Sequence, residues 1–331
     1  MKITILGAGA WGSALAISLA RGHEITLWSR DAAHLAEIAR TRRNERYLPG
    51  FELPAAVSIE PELARALSGA HLVLVVVPTA GFRATLRQLA ACDIGVPVIW
   101  AAKGFEPDTA KLLHQVAQEE LPGGIERGVL SGPSFAHEVA QGLPCALTFA
   151  AREPAFAHHT AVALNHNRMR VYSTTDVIGV ELGGAVKNVM AIAAGISDGM
   201  GFGHNARAAL ITRGLAEMTR LGLCLGGRLE TFMGLAGVGD LILTCTGDLS
   251  RNRTVGKQLA AGRDLATILG ELGHTAEGVH TCAEVLKKAR QLGIEMPISQ
   301  QVYRVMFEGL SPRQAVEDLL SREPKAEYRS A

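Results

Sequence analysis

The strongest constraint on the fold lies within the first twelve residues. The segment from Gly7 to Gly12 reads G-A-G-A-W-G, which is the pattern G-x-G-x-x-G. It follows a β-branched run at residues 2–6 and precedes a helical pattern at residues 11–21, so it predicts a tight strand-to-helix turn. Gly7 suits the turn, Gly9 lets a pyrophosphate approach the backbone, and Gly12 lets the helix pack on the strand. Because a helix N-terminus offers free amide groups to phosphates, the motif predicts a dinucleotide site.

The first half of the chain alternates apolar, β-branched runs with helical patterns. Predicted strands lie at residues 2–6, 24–28, 72–77, 96–101, 127–130 and 146–149. Residues 31–41 form a predicted helix that Asp31 would cap. The run at 72–77 is apolar throughout, which is typical of a strand buried on both faces of a parallel sheet. The alternation predicts right-handed crossovers and a doubly wound α/β sheet.

The second half of the chain shows only helical patterns, from about Asp176 onward. Helices are predicted at residues 206–221, 253–261 and 281–292, and Pro297 and Pro312 stand where further helices should begin. We therefore expect an α/β domain over residues 1–178 and an all-helical domain over residues 179–331. Residues 182–202 come nearest to a membrane span, but they carry Lys187 and many glycines, so no span is expected.

Composition argues against several classes of function. The net charge of +1 gives no electrostatic reason to expect a nucleic-acid or membrane partner, and 5% aromatic residues offer few stacking surfaces for bases. Five cysteines without a Cys-x-x-Cys pair predict reduced, buried thiols in a cytoplasmic protein. The eleven histidines show no metal-ligand spacing, so we expect no metal cofactor.

The end of the second predicted strand bears on the choice of dinucleotide. An NAD-specific site places an acidic residue there to bind the ribose 2′-hydroxyl. Here the strand ends in Ser29 and Arg30, and the next residue, Asp31, is the predicted helix cap. A guanidinium in this place suits a 2′-phosphate. We predict that NADP is accepted besides NAD and that NADPH is preferred; alternatively, Arg30 is only a solvated surface charge.

Two other predicted strands run into residues suited to a ligand. One leads into Lys103, and the other leads into a small polar turn that contains Gly132 and Ser134. Ligands of doubly wound sheets lie beyond the carboxyl ends of the strands, so Lys103 would face the glycine loop. An ammonium there would polarise a carbonyl or bind a phosphate. The alternative is an ordinary surface lysine.

The helical half supplies a second lysine and a carboxylate. Lys187 and Asn188 lie in an apolar, glycine-rich helix, where burying an ammonium is costly unless it is paired or functional. Desolvation lowers the pKa of a lysine, which suits proton transfer near neutral pH. Asp240 follows an apolar turn and is a candidate partner that orients Lys187; the alternative is a helix N-cap.

A polar cluster, Ser250-Arg251-Asn252, precedes a predicted helix. Ser250 would cap that helix, and its first amide groups would bind an anion. Arg251 supplies a charged fork and Asn252 an amide, which together suit a phosphate monoester. Taken alone, the segment is equally an exposed basic helix start.

These segments together resemble the bacterial NAD(P)-dependent glycerol-3-phosphate dehydrogenases. The motifs G-A-G-A-W-G, A-A-K-G, S-G-P-S-F-A, L-G-G-A-V-K-N, G-V-G-D-L and S-R-N-R occur in this order over nearly the whole chain. The resemblance implies a Rossmann-like domain followed by a helical domain, usually as a homodimer. It also implies the interconversion of dihydroxyacetone phosphate and sn-glycerol 3-phosphate, which supplies phospholipid synthesis.

The resemblance also implies roles for individual residues. Lys187 would transfer the proton, with Lys103 and Asp240 completing the catalytic set. The predicted substrate contacts are Lys103, Gly132, Ser134, Lys187, Asn188, Asp240, Ser250, Arg251 and Asn252. The predicted cofactor contacts are Gly7, Gly9, Ala10, Trp11, Gly12, Arg30, Lys103, Ala136, Arg251, Thr275 and Glu277. Relatives often have Ser at Ala10, which here offers only its backbone amide.

Two rival functions share parts of this pattern. Another β-hydroxyacid-type dehydrogenase would combine a similar sheet and a lysine-bearing helical domain, but it would lack the phosphate cluster that begins at Ser250. A non-catalytic NADPH-binding regulator would have no reason to keep Lys103, Lys187 and Asp240 together. Turnover of a ketone phosphate separates the regulator from either enzyme.

Overall fold

An eight-stranded sheet occupies the first half of the chain in the computed structural model, which describes residues 1–273 and 276–323. The strands are β1 (Lys2–Leu6), β2 (Glu24–Trp28), β3 (Val57–Ile59), β4 (Leu72–Val75), β5 (Val98–Trp100), β6 (Arg127–Ser131), β7 (Cys145–Ala151) and β8 (Met169–Thr174). Their spatial order is β3-β2-β1-β4-β5-β6-β7-β8. The pairs from β3 to β6 are parallel, β7 runs antiparallel to β6, and β8 is parallel to β7.

Helices alternate with these strands, as predicted. They are α1 (Ala10–Leu19), α2 (Ala32–Thr41), α3 (Leu63–Leu67), α4 (Thr79–Ala91), α5 (Leu113–Glu120), α6 (Ala136–Gln141) and α7 (Pro154–Leu164). Asp31 caps α2 as expected, because its side chain accepts a hydrogen bond of 3.0 Å from the backbone amide of His34. The doubly wound α/β fold class is therefore confirmed.

Two strands and one strand direction did not follow from the sequence patterns. β3 has only three residues, which is too short for an alternating pattern to be recognised. β8 alternates at its start, with Met169 and Val171 buried and Arg170 between them exposed, but it was not predicted. The antiparallel direction of β7 also differs from the expectation of uniform alternation, since strand direction depends on long-range pairing rather than on local sequence.

The second half is helical. Its elements are α8 (Val177–Gly199), α9 (Gly203–Cys224), α10 (Leu229–Phe232), a π-helical turn (Leu235–Gly239), α11 (Asp240–Thr246), α12 (Arg251–Ala260), α13 (Leu265–Leu272), α14 (Glu277–Gln291), α15 (Pro297–Phe307) and α16 (Pro312–Leu320). The last two helices begin at the two predicted prolines. The change from sheet to helices falls between Thr174 and Val177, near the predicted position, while the exact domain boundary at residue 178 stays a prediction.

Helix α8 forms the centre of the helical half. Every residue from Gly179 to Ser197 is buried, and α9, α11, α12 and α14 pack around the helix. A helix that is apolar on all sides is stable only when other elements cover it on all sides. Each fully buried Val, Leu or Ile side chain contributes about 1.5–3 kcal/mol to the free energy of folding. Lys187 and Asn188 are therefore held inside the protein rather than on its surface.

Two stretches among the described residues have the length and hydropathy of a membrane span, where the sequence pointed only to residues 182–202. The first, Val177–Gly199, is 94% buried inside the protein and is the core helix α8. The second, Leu229–Thr246, comprises α10, the π-helical turn and α11 and is 39% buried. The first stretch therefore lies inside the helical half, and the second lies partly against it.

The prediction that the cysteines are buried is correct only in part. Cys245 and Cys282 are buried, and burial raises the pKa of Cys245 to about 12. Cys145 is half-buried, whereas Cys92 and Cys224 are exposed. The exposed pair lies at the ends of α4 and α9, where a helix reaches the surface and the side chain has nothing to pack against.

Candidate active site

A cleft of about 1150 Å³ lies between the sheet and the helical half. One wall contains the glycine loop after β1, the end of β2 and the loop after β4, and the other wall contains parts of α8, α11, α12 and α14. The strand order reverses between β1 and β4, which is where doubly wound sheets bind their ligands. The cleft thus occupies the position that the fold favours for a dinucleotide.

Most of the predicted site residues meet in this cleft. Its lining includes Gly7, Gly9, Ala10, Trp11, Arg30, Lys103, Ser134, Ala136, Lys187, Asn188, Ser250, Arg251, Asn252 and Glu277. Gly12, Gly132 and Asp240 are not among the residues that line the cleft, and their roles stay predictions. Thr275 lies outside the described residues.

The glycine loop has the geometry of a phosphate cradle. Gly7 has φ +120°, and a Cβ on it would lie 2.3 Å from the Val76 carbonyl oxygen; a Cβ on Gly12 would lie 1.8 Å from the Gly7 carbonyl oxygen. Gly9, the N-cap of α1, differs, since no described atom lies within 4 Å of its Cβ position. The open space is therefore above the N-terminus of α1, where the residues present fit a pyrophosphate.

Asn44 fixes the glycine loop from below, and the sequence reasoning missed it. Its side chain donates hydrogen bonds to the Ala8 carbonyl oxygen (2.9 Å) and to Ser13 Oγ (2.7 Å), and its Oδ1 accepts from the Tyr47 backbone amide (3.2 Å). Asn44 is 1% exposed. No local pattern identifies such a residue, because its partners come from a different strand-to-helix turn.

Charges at the end of β2 face the same cleft. Arg30 is exposed and forms no ion pair with any described residue. The Asp31 carboxylate is engaged twice, since it accepts from the His34 amide and forms an ion pair of 3.4 Å with Arg46. The one acid at this strand end is therefore partly neutralised.

Asp240 bridges the two lysines. It is 1% exposed; its Oδ2 accepts from Lys103 Nζ at 2.8 Å, and its Oδ1 accepts from Lys187 Nζ. Lys103 Nζ also donates to the Gly132 carbonyl oxygen at 3.0 Å. The proposed pairing with Lys187 is thus present, and the alternative of an N-cap is wrong because Gly239 takes that position.

The glycine pair that precedes Lys187 makes room for both of its partners. A Cβ on Gly183 would lie 2.3 Å from the Ala236 carbonyl oxygen in the π-helical turn that leads to Asp240. A Cβ on Gly184 would lie 3.4 Å from Lys103 Cγ and 2.9 Å from Ser131 Oγ. Without side chains at these two positions, α8 approaches both the π-helical turn and the lysine that follows β5.

The electrostatics of this cluster set the protonation of Lys187. Burial lowers the pKa of Lys187 to about 7, although the nearby Asp240 carboxylate raises it; the Lys103 ammonium lowers it further. A group with a pKa near neutral pH can both donate and accept a proton under physiological conditions. The arrangement therefore supports acid–base chemistry at the Nζ atom of Lys187.

The start of α12 offers an anion site. Ser250 caps the helix as predicted, with its Oγ accepting from the Arg253 amide at 3.3 Å. Arg251 is half-buried, lines the cleft and has no ion-pair or hydrogen-bond partner among the described residues. Burial lowers the pKa of Arg251. An unpaired, partly desolvated guanidinium beside free helix amides suits a phosphate.

Two asparagines join this anion site to the lysine. Asn252 donates to Asn188 Oδ1 at 3.0 Å and accepts from the Gly278 amide at 3.0 Å, and Asn188 donates to the Gly184 carbonyl oxygen at 3.3 Å. These bonds connect α8, α12 and α14. Each side-chain amide keeps one further N–H group. Direct substrate contact by either asparagine stays a prediction.

The remaining predicted contacts lie at the rim of the cleft. Glu277, at the start of α14, accepts a hydrogen bond of 2.8 Å from Thr79 Oγ1, which joins the two halves of the chain. Burial raises the pKa of Glu277. Ser134 donates to the Gly132 carbonyl oxygen at 3.0 Å, and Ala136 begins α6. Among residues 1–273 and 276–323, no three His, Cys, Asp or Glu side chains gather as metal ligands.

Comparison with known proteins agrees with this geometry. Family models described as the N-terminus and the C-terminus of NAD-dependent glycerol-3-phosphate dehydrogenase match residues 2–157 and 176–317. A glycerol-3-phosphate dehydrogenase [NAD(P)+] of Nitrosospira multiformis is 61% identical, over 99% of either chain.

Solved structures agree as well. The glycerol-3-phosphate dehydrogenase of Coxiella burnetii superposes with a TM-score of 0.93 at 44% identity, covering 97% of this chain and 99% of that one. The enzyme of Saccharomyces cerevisiae gives a TM-score of 0.82 at 29% identity, over 97% and 99% of the two chains. This chain belongs to the NAD-dependent glycerol-3-phosphate dehydrogenase family.

Proposed function

We propose that this protein interconverts dihydroxyacetone phosphate and sn-glycerol 3-phosphate with NAD(P)H. The observation that carries the proposal is the buried bridge from Lys103 through Asp240 to Lys187, which faces the same cleft as the glycine loop. Reduction of a ketone phosphate requires a dinucleotide site, a proton donor and a phosphate site, and the glycine loop, Lys187 and Arg251 suit these three roles.

The chemistry follows from the positions of these groups. The dinucleotide supplies a hydride to the carbonyl carbon when it is bound. Negative charge then develops on the carbonyl oxygen, and Lys187 donates a proton to it; in the reverse direction Lys187 accepts that proton. Asp240 holds both ammonium groups in place, so Lys103 adds a fixed positive charge where the oxygen becomes negative.

The phosphate is bound away from the reacting carbon. Arg251 and the first amide groups of α12 bind the phosphate. The hydrogen bond from Asn252 to Asn188, the residue after Lys187, fixes the start of α12 relative to the lysine. Binding energy from the phosphate thus places the carbonyl carbon in a reactive geometry. Neither a regulator without catalysis nor a β-hydroxyacid-type dehydrogenase explains the Arg251 site together with the lysine bridge.

We also propose that NADPH is preferred over NADH. Arg30 follows β2 and forms no ion pair with a described residue, and Asp31, which would otherwise bind a 2′-hydroxyl, is engaged by α2 and by Arg46. If Arg30→Ala leaves the KM for NADPH unchanged, the preference has another origin.

The first experiment measures NADPH oxidation with dihydroxyacetone phosphate, and repeats it with NADH and with unphosphorylated dihydroxyacetone. We expect rapid turnover with the phosphorylated ketone and only slow turnover with unphosphorylated dihydroxyacetone. Arg251→Ala should raise the KM for that ketone about 10- to 100-fold, the effect of losing a charged hydrogen bond, while dihydroxyacetone reduction stays equally slow. A folded, dinucleotide-binding protein without turnover would refute the proposed substrate.

We further propose a cytoplasmic homodimer that supplies glycerol 3-phosphate for phospholipid synthesis. The family resemblance supports it, and so do large apolar side chains exposed around α10 and α11, namely Leu229, Met233 and Ile242. Exposed apolar side chains of this number suit a subunit contact. Light scattering coupled to gel filtration tests it, and a monomer at micromolar concentration would contradict the dimer.

A further inference from the structure

Arg46 stands beside the wall of the cleft near the end of β2. It forms an ion pair of 3.4 Å with Asp31 Oδ2, and its guanidinium carbon lies 5.0 Å from the centre of the Tyr47 ring. Asp31 and Tyr47 both line the cleft. Arg46 thus contacts Asp31, a residue that lines the cleft and directly follows Arg30 in the chain.

The position of Arg46 is built into the fold. Asn44, two residues earlier, is buried and donates to the Ala8 carbonyl oxygen and to Ser13 Oγ, while its Oδ1 accepts from the Tyr47 amide. The turn that carries Arg46 is thus fastened to the glycine loop. The backbone beside Arg46 is held in place, so binding a ligand costs less backbone entropy there than in a mobile loop.

The charges at this corner decide which ribose is tolerated. A phosphate monoester carries between one and two negative charges near neutral pH, so the Asp31 carboxylate repels a 2′-phosphate. Arg30 alone would only balance Asp31, whereas Arg30 and Arg46 together leave one net positive charge. A 2′-hydroxyl has no charge and does not need the second guanidinium.

We propose that Arg46 determines cofactor specificity by forming, with Arg30, a two-guanidinium clamp on the 2′-phosphate of NADPH. The inference rests on the proposed dinucleotide site, but it concerns a residue that neither the glycine motif nor the end of β2 identifies.

The test measures binding of 2′,5′-ADP and of 5′-AMP by calorimetry, which needs no turnover. Arg46→Ala should weaken 2′,5′-ADP about tenfold and leave 5′-AMP within about twofold, because only the charged hydrogen bonds to the 2′-phosphate are lost. Arg43→Ala is the matched control: Arg43 lies in the same turn and pairs with Glu45 and Glu52 instead, so both affinities should stay unchanged.

A second variant tests the repulsion between the Asp31 carboxylate and the 2′-phosphate. Asp31→Asn keeps a side chain able to cap α2 but removes the negative charge, so the ratio of 2′,5′-ADP to 5′-AMP affinity should rise. If Arg46→Ala weakened the binding of both ligands equally, or left the affinity for 2′,5′-ADP unchanged, the role of Arg46 would be overturned, but the proposed NADPH preference would not. A wild-type protein that binds 5′-AMP as tightly as 2′,5′-ADP would instead overturn the NADPH preference itself.

Discussion

The two ends of the cleft are built in opposite ways. The dinucleotide end, Gly7 to Gly12, presents backbone atoms from one short segment, and its side chains matter mainly by being absent. The lysine end brings side chains together from distant elements: Asp240 lies 137 residues from Lys103 and 53 residues from Lys187. The glycine segment should therefore be sensitive mainly to added volume, whereas the lysine end should be sensitive mainly to the loss of a charge.

The largest expected effect is that of Lys187→Met at the lysine end. Methionine keeps most of the buried length but cannot donate a proton, so kcat should fall about 100-fold or more while dinucleotide affinity stays normal. Steady-state kinetics and calorimetry with 5′-AMP separate the two properties. A kcat near that of the wild type would remove Lys187 from proton transfer.

The next effect is a displaced pH profile. Asp240 raises the pKa of Lys187 and burial lowers it, giving about 7, so removing the carboxylate in Asp240→Asn should bring that pKa below 7. Ketone reduction requires the protonated lysine; its rate should therefore decline at lower pH in the variant than in the wild type. Reverse oxidation, which requires the neutral lysine, should begin at lower pH.

The measurement for Asp240→Asn is kcat/KM in both directions across pH, after the melting temperature shows that the variant folds. We expect kcat for ketone reduction at neutral pH to fall about 10- to 100-fold, since the lysines also lose their common anchor. A lower rate with an unmoved pH profile would mean that Asp240 positions the lysines without tuning Lys187.

Two alanine substitutions test the dinucleotide end. Gly12→Ala would place a Cβ 1.8 Å from the Gly7 carbonyl oxygen, so it should cost about 1–3 kcal/mol of unfolding free energy or more. The added methyl group of Gly9→Ala has no described neighbouring atom within 4 Å, so the melting temperature should stay nearly unchanged. The methyl group should, however, hinder the approach of the pyrophosphate of NADPH and so raise the KM for NADPH. Equal melting temperatures for both variants would contradict the comparison.

The same contrast explains what the sequence could predict. The glycine loop, the Asp31 cap of α2 and the helices that begin at Pro297 and Pro312 each depend on a few neighbouring residues, so local patterns identify them. The burial of Lys187 also followed from its apolar surroundings. Its link to Asp240 was inferred as one of two alternatives, because only the packed structure brings α11 against α8.

Other features had no local signal at all. Asn44 reaches back to the glycine loop, Arg46 pairs with Asp31, and β7 runs antiparallel to β6, and each depends on contacts between distant segments. The hydrogen bond between Asn252 and Asn188 is a milder case: both residues were predicted at the site, but as ligand contacts rather than as a link between helices. Residue identity was easier to predict than pairing.

The smallest effect is expected at the start of α12, where the predicted anion site combines backbone amide groups with side chains. Ser250→Ala removes a side-chain cap but keeps the backbone amides and Arg251, so unfolding free energy should fall by about 1 kcal/mol and the KM for the ketone phosphate should rise only a few-fold. Thermal melting and steady-state kinetics measure the two. If Ser250→Ala raised KM as much as Arg251→Ala, the hydroxyl itself would bind phosphate, and this end of the cleft would depend on side chains as fully as the lysine end does.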